Sequence, residues 1–340
     1  METHRHPLEG REGELLAMDV ARLGAMDAES LLLVSSACHG VEGYCGSGVQ
    51  SALLHDLSFH KAAIDAGVAV LYVHALNPYG FSWWRRVTQE NVDLNRNWQD
   101  FGKDTSQGAG LNLPINPGYE AIAPWLIPEV WPPGADNEAR LAGYAAQHGE
   151  RGLQAAVSGG QYGHPQGLFF GGHAPTWSRQ TLSKVLREHG GRCKQLAWID
   201  LHTGLGPQGH GERIYAGKED AQALARARQW WGADVTSIYD GSSSSALLSG
   251  LMWSAAYQDC PQAEYTGIAM EYGTQPIAEV MFCLRAEQWM QMHPEAPAAQ
   301  RQAVKQRFRD AFYTDTPQWK EQIVEQGLQA AHQAIAGLRG

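Results

Sequence analysis

The feature that most restricts the fold is a pair of apolar runs with one helical segment between them. Residues 31–36 (LLLVSS) form a continuous apolar run of the kind that makes a buried strand. From 46 to 66 the apolar residues recur at helical spacing (Val49, Leu53, Leu57, Ala62, Ile64), and Gly67 ends the segment. Residues 68–75 (VAVLYVHA) are a second β-branched run, halted by Asn77, Pro78 and Gly80. Strand, helix, strand is a βαβ unit, which implies a parallel sheet with helical cover.

Further along, 195–201 (QLAWIDL) and 267–270 (GIAM) read as two more strands. Residues 137–156 and 178–189 read as helices, and the chain from 275 onward as mostly helical. The stretch 99–134, rich in Pro, Gly and Asn, reads as a long loop, and residues 159–172 (GGQYGHPQGLFFGG) as a second one. Nothing between these segments has the character of a linker. The expectation is an α/β fold in a single domain, 1–340, with a mixed, mainly parallel central sheet flanked by helices. Loop insertions are expected around 99–134 and 157–177.

Bulk properties narrow the function classes. Of 340 residues, 44% are hydrophobic, enough for a substantial core. With 26 basic and 36 acidic residues the formal charge is −10, which argues against nucleic acid as a partner, because phosphate binding needs a basic face. No apolar run approaches the ~20 residues of a membrane span, and the start lacks the apolar core of a signal peptide. The five cysteines are odd in number and contain no CxxC pair. A cytoplasmic protein without disulfides or a membrane partner is expected, its oligomeric state open.

Four polar clusters follow the apolar runs: His39-Gly-Val-Glu42, the segment 91–97 (NVDLNRN), Asp200-Leu-His202, and Glu271-Tyr-Gly. In open α/β sheets ligands bind at the carboxyl ends of strands, so four such clusters point into one crevice. His39 and Glu42 can offer two metal ligands from one corner, where Gly40 and Gly43 would let the backbone bend. His202 can offer the third, completing a His-Glu-His set with an open position for water. Glu271 is then free to act as general base, and Asp93 can accept a hydrogen bond from a ligand histidine. Each cluster alone has a commoner meaning: a surface pair, a hydrogen-bonded strand end, a solvated turn. Their conjunction at four strand ends favours the shared crevice. No GxSxG elbow, P-loop or strand-borne GxGxxG competes with it, and Cys38 and Cys45 read as packing residues.

Taken together, the segments HGVEG (His39 to Gly43), NPYGF…RR…NVDLNRN (Asn77 to Asn97), DLHTGLG (Asp200 to Gly206) and EYGT (Glu271 to Thr274) resemble the zinc carboxypeptidase superfamily, the carboxypeptidase A-like metallopeptidases. Within it the chain looks closest to a bacterial branch defined as a domain of unknown function. Through the DLNR and DLH elements it is also similar to the aspartoacylase and succinylglutamate desuccinylase group. The resemblance covers roughly residues 30 to 280.

It implies Zn2+ as cofactor, His39, Glu42 and His202 as its ligands, and Glu271 as general base and then acid. It further implies Asp93 as the partner of the first histidine, and Asn95 and Arg96 as the pair that binds a substrate carboxylate. An upstream arginine is implied to polarise the scissile carbonyl; Arg85 and Arg86 compete for that role, and Arg86 is favoured. For the tyrosine that covers substrate in the peptidases, Tyr239, Tyr257 and Tyr265 are candidates.

The implied function is zinc-dependent hydrolysis of an amide or peptide bond, carboxypeptidase-like, on a small peptide with a free carboxylate. N-acyl amino acid deacylation and a non-catalytic metal-binding role are the alternatives. The loop 159–172, with Tyr162, Phe169 and Phe170, is either a wall of the pocket or plain packing.

Overall fold

The structure, a computed structural model, describes residues 1–102 and 113–339. In chain order its first elements are β1 (Glu2–Glu9), β2 (Leu15–Leu23), β3 (Ser30–Ser36), α1 (Gly43–His55), α2 (Leu57–Asp65), β4 (Val68–His74) and α3 (Pro78–Trp83). Then come α4 (Pro117–Leu126), α5 (Ala135–Ser158), α6 (Trp177–Gly190), β5 (Gln195–Gln208), β6 (Gly211–Tyr215) and α7 (Ala221–Trp231). The last are α8 (Ser254–Asp259), β7 (Glu264–Gly273), α9 (Ile277–Met292), α10 (Ala298–Phe312) and α11 (Pro317–Arg339).

The strands form a seven-stranded mixed sheet in the order β1-β2-β4-β3-β5-β7-β6. The middle four, β4, β3, β5 and β7, are parallel, and the outer pairings are antiparallel. The central strands are buried on both faces, which is why they read as unbroken apolar runs. Leu32 and Val34 of β3 pack with Ala197, Ile199 and Leu201 of β5 under α1, α2, α7 and α11. Leu31 and Leu33 pack with Leu196 and Trp198 on the other face, under α6 and α8. A third apolar cluster joins α4, α5, α9 and α10.

From β3 the chain goes first to β4 on one side, and later returns to place β5 on the other. The gap between the carboxyl ends of β3 and β5 is therefore a topological switch point, where an open sheet leaves a crevice.

Several segments depart from the sequence pattern. The single helix expected over 46–66 is two, α1 and α2, because the Asp56 carboxylate accepts hydrogen bonds from the backbone N–H of Ser58 (2.8 Å) and Phe59 (3.1 Å) and starts a new helix. Within the loop expected over 99–134, Asn116 caps α4 by accepting from Tyr119 N at 3.0 Å. Residues 103–112 of that loop lie outside the described residues. The charged first thirty residues hold β1 and β2, an edge hairpin with one face toward water. Among the described residues no helix is long and apolar enough to cross a membrane.

Gly40 serves a purpose other than the bend expected of it. The left-handed residue at this corner is Ala37, with φ 58°. What Gly40 allows is close approach: a Cβ there would sit 2.0 Å from the carbonyl carbon of Gly80 and 2.3 Å from Phe81 N, both backbone atoms of α3. Gly40→Ala is therefore expected to cost at least about 1–3 kcal/mol, the usual range for overpacking. Gly48→Ala, in open space on α1, should stabilise by about 0.5–1 kcal/mol. Urea denaturation of the two variants checks the contrast, and equal effects would refute it.

Candidate metal centre

Three backbone devices bring the candidate ligands together. At the end of β3 the chain kinks at Ala37, and the backbone N–H groups of Leu76 and Asn77 bond to Ser36 O (3.0 Å) and Ala37 O (2.8 Å). A 3-10 turn over Gly40–Glu42 follows and brings His39 and Glu42 to one side. It is held from outside, since Gly40 N and Val41 N donate to Arg86 O (3.1 Å) and Arg85 O (2.9 Å). On β5 the two-residue period places Asp200 and His202 on the same face. Parallel pairing sets His202 directly beside Glu271 of β7.

The two imidazoles converge on one carboxylate. His39 Nδ1 lies 3.0 Å from Glu42 Oε1 and His202 Nδ1 lies 3.1 Å from Glu42 Oε2, with all three residues buried. The outer ring nitrogens are both engaged: His39 Nε2 is 3.1 Å from Asp93 Oδ1, and His202 Nε2 is 2.5 Å from Asp200 Oδ2. A ring that donates through Nε2 to an aspartate turns a bare Nδ1 lone pair inward. Among the described residues His39 Nδ1 is indeed a buried polar atom with no aligned hydrogen-bond partner, despite the carboxylate oxygen beside it. A buried lone pair facing a buried carboxylate is unfavourable unless positive charge lies between them.

The residues therefore fit a divalent cation. One donor atom from each of His39, Glu42 and His202 lies within 4.8 Å of the others. Cys38, Asp200 and His202 satisfy the same distance test. That set suits a cation less well, because burial and the carboxylates of Asp200, Asp93 and Glu42 push the Cys38 thiol well up, and the thiolate is what binds metal.

Charges around the site reinforce one another. Burial opposes ionisation of Glu42, but His39 and His202 outweigh it and hold the carboxyl well below its ordinary range. Asp93 is likewise buried and held low by Arg86, Arg96 and His39. Burial works against the imidazolium of His202, yet Asp200 and Glu42 raise it well above the usual value. Asp200 is steadied by Ser35, whose hydroxyl donates to Oδ1 at 2.6 Å and accepts from Trp198 Nε1 at 2.7 Å. Asp200 and Ser35 were not singled out for this task from sequence, although the spacing of Asp200 and His202 on a strand carried the signal.

Glu271 stands apart from these pairs. Its Oε1 accepts from Leu205 N at 3.0 Å, and desolvation together with the Glu42 charge pushes its carboxyl up to about 8.

The remaining candidates separate clearly. The Arg86 guanidinium pairs with Asp93, lies 3.7 Å from Glu42 Oε1 and stacks 4.8 Å from the Phe169 ring. Arg85 points away, to Glu287 (3.2 Å), Asn91 (3.0 Å) and Gln288 (3.3 Å). Arg96 lines the cavity, but its donors go to Ser158 O through Nε (3.1 Å) and Nη2 (2.5 Å), and to Asn95 O (2.9 Å). Asn95 also lines the cavity, with its Oδ1 accepting from Met252 N at 3.0 Å.

Of the loop aromatics, Phe169 lines the cavity, while the Tyr162 hydroxyl donates to Arg96 O at 2.7 Å. The Tyr239 hydroxyl donates to Gly217 O and that of Tyr257 accepts from Lys218 N. Among the described residues the buried hydroxyl of Tyr265 has no hydrogen-bond partner. All these cavity residues border one space of about 920 Å³ that includes His39, Glu42, His202 and Glu271.

Comparisons with known proteins give a family match and likenesses to solved structures. The family model described as "Protein of unknown function (DUF2817)" matches residues 1–326. Bovine thrombin-activatable fibrinolysis inhibitor, solved with tick carboxypeptidase inhibitor, aligns over 99% of this chain and 90% of its own, at 12% identity and TM-score 0.50. Carboxypeptidase A from Helicoverpa armigera aligns over 89% and 67%, at 13% identity and TM-score 0.42. A protein from Shewanella amazonensis assigned to the succinylglutamate desuccinylase/aspartoacylase family aligns over 87% and 72%, at 15% identity and TM-score 0.36. Among curated proteins none has a matching sequence. The sheet and its helical cover are thus carboxypeptidase-like.

Two outcomes are expected. Asp200→Asn should weaken zinc binding by about 10–100-fold, the usual cost of losing a ligand's hydrogen-bond partner; unchanged affinity in a competition titration would contradict this. In the metal-free protein the raised Glu271 carboxyl binds its proton more tightly folded than unfolded. The stability it lends is complete below about 4.5 and is lost as pH rises toward about 8. Glu271→Gln lacks this loss, so its melting temperature should gain on the parent's across that window, and a constant difference would exclude the shift.

Proposed function

Since the chain belongs to the DUF2817 family, whose description assigns no activity, we propose from the site itself that it is a divalent-metal-dependent amide hydrolase. One observation carries the proposal: two imidazole Nδ1 atoms and one carboxylate converge, each imidazole backed by an aspartate, with a fourth acidic group in the same cavity. Two nitrogens and an oxygen are a donor set typical of hydrolytic zinc. His39, Glu42 and His202 would hold the ion. Once bound, the ion would supply Lewis acidity, polarising a carbonyl and making a water acidic near neutral pH.

The chain's own groups account for the rest. Glu271, whose carboxyl would ionise at lower pH beside a dication, takes a proton from the attacking water at a carboxylate oxygen. The water oxygen adds to the amide carbon, and the carbonyl oxygen gains negative charge. The Arg86 guanidinium, preorganised by Asp93 and the Phe169 ring, stabilises that charge. As the C–N bond breaks, Glu271 returns the proton to the leaving nitrogen, leaving a carboxylic acid and an amine. A free carboxylate on the substrate would find Asn95 and Arg96 at the cavity wall.

A carboxypeptidase-like substrate and an N-acyl amino acid both meet these requirements. The commitment of Arg96 to Ser158 O and Asn95 O bears equally on the carboxylate of either substrate. A role in metal binding alone leaves the desolvated Glu271 without a purpose.

The test is turnover of zinc-loaded protein on a panel of C-terminal peptides and N-acyl amino acids. Glu271→Gln should keep one zinc per chain and lose at least about 10²–10⁴-fold in kcat, the usual contribution of a general base. Full activity in that variant would remove Glu271 from the reaction, and an inert parent with zinc bound would remove hydrolysis.

A further inference from the structure

We propose that α5 and α9 form a hydrocarbon-binding groove that takes the acyl chain of an N-acyl amino acid, a proposal that rests on the hydrolase reading above and names its substrate class. The cavity that holds the candidate ligands continues between these two helices. There its wall is made by Leu141, Ala145, Leu153 and Val157 of α5 and Met281 and Phe282 of α9.

Glu150 and Arg151 of α5 also line this part of the cavity, while Arg285 and Gln154 are committed to the protein. Arg285 donates through Nε to Leu126 O (2.8 Å), through Nη2 to Trp125 O (3.2 Å), and through Nη1 to Glu138 Oε1 (2.8 Å). Gln154 Nε2 donates to Ser244 O at 2.7 Å. Neither wall offers a strand edge: α9 is helical throughout, and α5 is helical on both sides of a break at Gly149 (φ 77°, ψ 162°). A peptide laid along the Leu141, Ala145, Met281 and Phe282 surface would bury amide groups against apolar side chains, at a cost that hydrocarbon does not incur. A methylene chain gains from the same surface.

The cavity's volume, about 920 Å³, is near the top of the range for small-molecule pockets, roughly 300–1,000 Å³. The carboxyl carbon of such a chain would reach the Glu271 end of the same space, so chain and scissile bond are accommodated together.

Straight-chain carboxylates test this directly: acetate, hexanoate and dodecanoate, titrated by calorimetry into the full chain, both zinc-loaded and metal-stripped. Affinity is expected to rise by up to about fourfold per added methylene, in both preparations. Ala145→Trp, at a partly exposed position, should lower dodecanoate affinity tenfold or more while moving hexanoate less. Leu153→Asp should do the same by placing charge in the groove, and unaltered melting temperatures show that each variant is folded.

Affinity that ignores chain length would overturn the proposal, as would folded variants without effect. Tighter binding of N-acetyl-leucyl-leucine than of dodecanoate would overturn it in favour of a peptide groove. Because these readouts are equilibrium binding, they separate from the hydrolase reading. Chain-length dependence without turnover leaves the groove and removes the reaction; turnover without chain-length dependence does the reverse.

Discussion

His39 turns toward the buried Glu42 carboxylate an Nδ1 that has no aligned hydrogen-bond partner among the described residues, and the surrounding structure is arranged around the positive charge this pairing demands. The Nδ1 atoms of His39 and His202 reach Glu42 at 3.0 and 3.1 Å. Their outer nitrogens are held by Asp93 and Asp200, which fixes the direction in which each ring faces. Asp200 is oriented by Ser35, and Ser35 by Trp198, so the chain of hydrogen bonds runs back into the packed core. Arg86 offsets the charge of Asp93 and stays close to Glu42. Such a network is costly if one member is missing, and that cost is what makes its geometry rigid.

Topology supplies the convergence. The β3 and β5 strands are neighbours in the sheet although some 160 residues lie between Glu42 and His202. The switch in strand order opens the crevice at their carboxyl ends, and the register between β5 and β7 adds Glu271 beside His202. The helices α4 and α5, inserted between the Asn91 to Asn97 segment and β5, build a wall that the sheet alone would not provide. The end of the cavity that holds His39, Glu42 and His202 is thus set by strands, and its depth and apolar character by helices and loops, the parts of an α/β fold that vary most freely.

Much of this was legible in the sequence, for physical reasons. Central strands buried on both faces leave unbroken apolar runs, and β3, β4, β5 and β7 were all marked in that way. The polar clusters following them were legible because chemistry collects at strand ends. The edge hairpin of β1 and β2 was hidden by its charged, half-exposed composition, and the short β6 by its length. The break between α1 and α2 was invisible to periodicity, since Asp56 redirects hydrogen bonds without interrupting the apolar spacing. Within the segment 91–97, Asp93 was marked from sequence as a histidine's partner, and it faces His39. Only three-dimensional packing shows that Asn97 ties the loop at Gly171 and Ala174. Arg85 and Arg86 could not be told apart by adjacency, and are separated by the buried Glu287 that draws Arg85 away.

The most direct measurement is X-ray absorption at the zinc edge of the zinc-loaded chain. Two imidazole nitrogens and oxygen donors, all at about 2.0–2.2 Å, are the expected shell. A sulfur neighbour at about 2.3 Å, from Cys38, or fewer than two imidazoles, would contradict the ligand set on which the chemistry rests.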